Sequence, residues 1–211
     1  MREKYEAELQ KLNASIISMG RMIEIAIESS MLALMGRDSE AAREVARNDG
    51  AINEMEREIE RLCLKLLLQQ QPVAADLRLI AAALKMITDM ERIGDHAVDI
   101  ADLVQKVPDC KYGKMKEITE MSEEIIKMLH QAVQSYIEKD YNKAKNVIVK
   151  DDVIDELYRT IKKDLVQKIR ETSEGETILD YLLIAKYIER IGDHAVHIAE
   201  WVIFALIGER Q

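Results

Sequence analysis

The residues best suited to chemistry in this chain occur twice. Glu91-Arg92-Ile93-Gly94-Asp95-His96-Ala97-Val98 returns unchanged as Glu189 to Val196, 98 residues later. On a helix, residues four apart stand one above another on the same face. Glu91, Asp95 and Asp99 then form a ladder of carboxylates, which Asp102 continues. Glu189, Asp193 and His197 form the matching ladder, continued by Glu200. Like charges at this spacing cost roughly 0.2–0.5 kcal/mol per pair. Aspartate in mid-helix costs about half a kcal/mol more, and Gly94 or Gly192 about one. Both copies carry the same avoidable penalty, so something must offset it.

Three readings account for it. Stacked hard oxygen ligands, with an imidazole in the second copy, suit a divalent or trivalent cation such as magnesium, manganese, zinc or iron. A basic surface on another protein could dock there. The third reading needs no ligand: a solvated acidic face, helped by Arg92 and Arg190, with the glycines admitting a close neighbouring helix. The ladders alone leave all three open. A second acidic group favours the metal. Asp49 and Asn53 lie four apart on the preceding helix, and Asp151 and Asp155 hold the matching positions. If antiparallel packing brings them to Glu91/Asp95 and Glu189/Asp193, two helices enclose each site. His96 and His194 lie about 100° round from the neighbouring aspartates, placed to cap a site or to brace the bundle. His130 has no repeat partner and reads as structural or exposed.

The elements that must carry these residues are legible from the same duplication. Upstream of the octapeptide the offset becomes 102: Asp38 matches Asp140, Ala42 matches Ala144, and Asp49-x-x-Ile52 matches Asp151-x-x-Ile154. Each copy reads as three long helices, since apolar residues such as Ile16, Met19, Ile23, Ile27 and Leu34 recur at helical spacing. The expected helices run 4–35, 39–70 and 73–107, then 115–138, 141–171 and 176–207. Asp38 is placed to cap the second helix, and Pro72 to open the third without losing a hydrogen bond. Pro108 and Gly113 mark the linker. The expected organisation is all-α: six long antiparallel helices in two tandem three-helix bundles, residues 1–107 and 114–211, joined by 108–113 and related by an approximate twofold axis.

Composition agrees. Among 211 residues there are only eight glycines and two prolines, which argues against a turn-rich β fold, and 48% apolar residues suffice for a core. One Phe and one Trp leave aliphatic groups and eleven methionines to fill it. Trp201 and Phe204 are expected in the core, with the apolar stretch 201–207 offering a surface for self-association. A net charge of −9, with no basic run, argues against binding nucleic acid. Cys63 and Cys110 are unrelated in context, the start is charged, and no window reaches the ~20 apolar residues of a membrane span. The expectation is a cytoplasmic protein. Catalytic motifs are missing: no phosphate-binding glycine loop, HExxH, GxSxG or ExxH pair occurs.

An E/D-x-x-x-D motif within an E-R-I-G-D-H-A helix, present twice in about 210 residues, resembles the PhoU family. The likeness spans essentially the whole chain, including the acidic positions on the second helix of each half. It implies a non-enzymatic negative regulator of phosphate uptake and of the phosphate-starvation response. In such proteins the expected partners are the ATP-binding subunit of the phosphate ABC importer and the PAS domain of a sensor histidine kinase, with membrane complexes touched only peripherally. It also implies multinuclear iron or zinc clusters on the E/D-x-x-x-D motifs, here Glu91 with Asp95 and Glu189 with Asp193. Asn53 departs from the acidic pattern. A metal-storage or metal-dependent carboxylate protein, or a ligand-free helical scaffold, is the competing reading.

Overall fold

A computed structural model of the chain describes residues 2–36, 39–70, 74–107 and 116–209. Six α-helices follow one another in it: α1 (Arg2–Gly36), α2 (Ser39–Gln70), α3 (Ala74–Lys106), α4 (Lys116–Glu138), α5 (Tyr141–Glu171) and α6 (Gly175–Ile207). Their ends match the expected spans within two residues. The expected cap at Asp38, Pro72, the linker residues Pro108 and Gly113, and Cys110 lie outside the described residues.

Apolar periodicity sets which faces of the helices are buried. On α1 the stripe Leu12, Ile16, Met19, Ile23 and Ile27 is fully buried, which is where most helical stability arises. Asp140, the repeat counterpart of Asp38, does cap α5. Its extended backbone (φ −101, ψ 102) lets one carboxylate oxygen accept from the amides of Asn142 and Lys143 at 2.9 and 3.1 Å, an arrangement worth about 1 kcal/mol. Gly208, at φ 83, closes α6 by donating its amide to the Phe204 carbonyl.

Within each half the three helices pack on one another: α1, α2 and α3, then α4, α5 and α6. Between halves, α3 lies along α6 and α1 along α4. Such pairing is what a twofold relation demands, since each helix meets its own counterpart. Arg78, near the start of α3, reaches the Ala205 carbonyl near the end of α6 at 3.4 Å, so the two central helices run antiparallel. Buried apolar side chains from all six helices form one continuous cluster, Met86 and Met90 of α3 and Ile184 and Ile188 of α6 among them. The two bundles therefore share their core.

Trp201 and Phe204 are half-buried and meet edge to face at 5.8 Å. Val202, Ile203 and Ala205 between and beside them are buried, while Ile207 is exposed. His130 is exposed and stands 3.1 Å from Glu24 across the α1–α4 contact.

Candidate metal centres and the seam between the halves

The octapeptide glycines mark the closest approach of neighbouring helices. A Cβ on Gly94 would sit 3.2 Å from Ile52 Cδ1, and one on Gly192 would sit 3.3 Å from Ile154 Cγ2 and 3.7 Å from Asp151 Oδ1. Helices at this distance bring the acidic faces of α2 and α3, and of α5 and α6, together.

In the first half, Asn53 Nδ2 donates to Asp49 Oδ2 at 3.0 Å. The Oδ1 atoms of both residues are buried without a hydrogen-bond donor, a cost of roughly 1–3 kcal/mol each when nothing else supplies one. Burial raises the Asp49 carboxyl above its usual range, and the charge of Asp95 raises it further. Glu91 is raised by burial and then by Asp95, with Glu56 and Asp49 adding to the effect and Arg92 opposing it. Arg92 reaches Asp95 at 3.1 Å and Glu91 at 3.6 Å. Glu56, itself raised by burial and by Glu60, belongs to this group. Its position seven residues after Asp49 puts it on the same helix face, a signal the four-residue ladders do not contain.

The second half holds the same acids with different company. Asp151 is pushed up to about 6 by burial first, then by Asp193, Asp155, Glu189 and Asp152. Glu189 is nearly buried, and Lys186 donates to both of its oxygens. The same ammonium lies 5.3 Å from the centre of the Tyr158 ring. Arg159 holds Asp155 at 2.7 Å. Under the repeat offsets Lys186 replaces Thr88 and Tyr158 replaces Glu56, so this pocket contains an ammonium with no counterpart in the first, where Arg92 is the cation that reaches the ladder.

Buried oxygens without donors, beside carboxyls raised by burial and then by one another's charge, are a set that a hard cation would relieve. The chemistry of both pockets fits such an ion, the first half better than the second. Among the described residues, however, only one set of three ligand atoms converges within 4.8 Å, and it lies elsewhere: Asp89, His194 and His197.

That set belongs to the α3–α6 seam. Asp89 Oδ1 stands 2.9 Å from His194 Nδ1 and 3.4 Å from His197 Nδ1. His194 and His96 face each other with ring centres 5.6 Å apart, and Tyr187 lies 5.4 Å from His96. Burial lowers the His96 imidazole, whose Nδ1 is 3.3 Å from Asp99 Oδ2. Asp99 and His197 extend the ladders in sequence, but their polar ends are turned along this seam. His96 and His194, for which capping a site and bracing the bundle are both open from the sequence, lie on this seam between α3 and α6. Asp89 was not a sequence candidate: its counterpart is Tyr187, so comparing the repeats gives no signal there.

Comparison with known proteins covers the same ground. A family model described as the PhoU domain matches residues 16–104 and again 118–202. A phosphate-specific transport system accessory protein PhoU homolog of Clostridium acetobutylicum is 34% identical over 99% of this chain and 97% of its own length. The crystal structure of PhoU from Pseudomonas aeruginosa superposes with a TM-score of 0.89 at 32% identity, covering 97% of this chain and all of that one. The phosphate transport system regulatory protein PhoU from Streptococcus pneumoniae superposes at 0.92 with 26% identity, covering 98% of this chain and 99% of that one.

Proposed function

The chain belongs to the PhoU domain family, and we propose on that footing that it is a negative regulator of phosphate uptake and of the phosphate-starvation response. Members of the family are regulatory accessory proteins of phosphate transport, not enzymes. The observation that carries the reading is a family match in both halves of the duplication. No helix among the described residues is long and apolar enough to cross a membrane. Control of a membrane transporter would then run through protein contacts, with the ATP-binding subunit of the importer on one side and the PAS domain of a sensor histidine kinase on the other. The tagged chain should retain both from lysate, and deleting its gene should switch on a phosphate-starvation reporter in phosphate-replete cells. Retention of neither, with the reporter still silent, would overturn the proposal.

A cation in the acidic pockets is the second part of this reading, supported by the donorless oxygens of Asp49 and Asn53. Asp49, Asn53, Glu91 and Asp95 would hold it in the first half, and Asp151, Asp155, Glu189 and Asp193 in the second. An ion that binds only the folded chain stabilises it. Asp95→Ala combined with Asp193→Ala should abolish manganese uptake, measured by equilibrium dialysis, and the accompanying rise in melting temperature. Without metal, the variant should melt at the same temperature or slightly higher, because repulsion has been removed. Full manganese content in the variant would reduce the ladders to a solvated face. A variant that loses metal yet still represses would place the regulatory contact elsewhere.

A further inference from the structure

We propose that Asp89, His194 and His197 form a separate site for one divalent transition-metal ion of the zinc class, bridging α3 to α6. Zinc binds carboxylate oxygen and imidazole nitrogen at about 2.0–2.2 Å, so the edge of its ligand tetrahedron is about 3.4 Å. Of the Asp89 Oδ1 to Nδ1 separations, 3.4 Å matches that edge and 2.9 Å falls short of it, so small side-chain rotations would complete it. The three ligand atoms lie within 4.8 Å of one another.

The donors also select the ion. Two imidazole nitrogens and one carboxylate oxygen favour zinc, cobalt, nickel or copper over magnesium and calcium, unlike the all-oxygen pockets of Asp49 and Asp151. His194 and His197 are three apart on α6, so both rings project from one helix face. The side chains of Asp89 and His194 are 16% and 21% exposed, whereas His197 is 45% exposed. An ion can enter past His197, leaving its fourth position to water. Binding requires each ring to carry its proton on Nε2 and offer Nδ1 to the metal.

The duplication supplies an internal control. The 98-residue offset maps Asp89, His194 and His197 onto Tyr187, His96 and Asp99. That second set keeps one imidazole, replaces the bridging carboxylate with a phenol, and pairs His96 with Asp99 at 3.3 Å. Only His96 and Asp99 of this set are of the residue types that make up the first site. One of the two related places can hold the ion. Because its ligands come from both halves, an ion there clamps the seam.

The inference stands apart from the acidic-pocket reading, and its test separates them. Chelator-treated full-length protein is titrated with cobalt(II), following visible absorption, and its melting temperature is read with and without zinc. One equivalent of cobalt with nitrogen-ligated absorption is expected in the wild type, in His96→Gln and in Asp95→Ala/Asp193→Ala. His197→Gln and Asp89→Asn should each weaken cobalt binding by more than about tenfold and abolish the zinc-induced rise in melting temperature. Exposed His197 tolerates glutamine without threatening the fold, so a cobalt spectrum and affinity that survive His197→Gln would overturn the proposal. So would a wild type without the absorption, or one that loses it only in the Asp95→Ala/Asp193→Ala variant.

Discussion

Asp151 is raised by burial first and then by its acidic neighbours, and its titration has a defined sign. A folded-state pKa of about 6, against an ordinary 3.8, means that the folded chain holds this proton more tightly than the unfolded one. The stability it contributes is present in full below the unfolded value and is lost as pH rises through about 6. Asp151→Asn removes the charge that repels Asp193, Asp155 and Glu189. In chelator-treated protein the variant should gain on the wild type as pH rises from about 4 to about 7.5. After allowance for solvent screening of this half-exposed group, the gain is about 1 kcal/mol. Urea unfolding at both ends of the range measures it, and a pH-independent difference would mean that the repulsion is already relaxed. At this scale the sequence was a good guide to which acids gather. Asp49 and Glu91 come together, as do Asp151 and Asp193, because period and repeat both register them. Lys186 and Asp89 were invisible, since neither has a counterpart of its own type.

Helix elements were legible almost to their ends, because long apolar periodicity leaves little choice and short acceptors such as Asp140 fix the starts. What the pattern could not supply was the phase between neighbours. The glycines supply it in the structure: Gly94 and Gly192 set how closely α2 meets α3 and α5 meets α6. Gly94→Ala gains about 1 kcal/mol of helix propensity but drives a methyl to 3.2 Å from Ile52 Cδ1. The two effects separate in a double-mutant cycle. Gly94→Ala should be better tolerated in an Ile52→Val background, which lacks that terminal methyl, by about 0.5–1 kcal/mol of coupling. Additivity within error would show that α2 shifts freely away from α3.

For the molecule as a whole, the all-α, two-bundle architecture follows from the repeat, but the depth of the seam does not. A duplicated sequence is equally compatible with halves joined loosely by a linker. The continuous core arises because α3 and α6 are buried on most sides, including Ile80, Ala83 and Ile87 on one and Ile184, Ala185 and Ile191 on the other. Self-association remains our expectation, with a changed surface. The stretch 201–207 is largely covered within the chain, whereas Leu179 and Leu183, one above the other on α6, are 52% and 47% exposed. Light scattering at micromolar concentration should give about twice the 24.2 kDa chain mass, and Leu183→Glu should halve it. A single-chain mass for the wild type would count against the dimer.

His96 and His194 occupy equivalent places in the two copies and face each other at 5.6 Å. A residue that meets its own counterpart lies on the symmetry axis. If an ancestor one repeat long existed, it would have met itself here as a homodimer, with every change made on both sides at once. Fusion into one chain would lift that constraint. Aspartate could arise at 89 while tyrosine stood at 187, and lysine at 186 while threonine stood at 88. The duplicated chain can therefore hold two unlike sites about a single axis, an asymmetry that no pair of identical subunits could inherit.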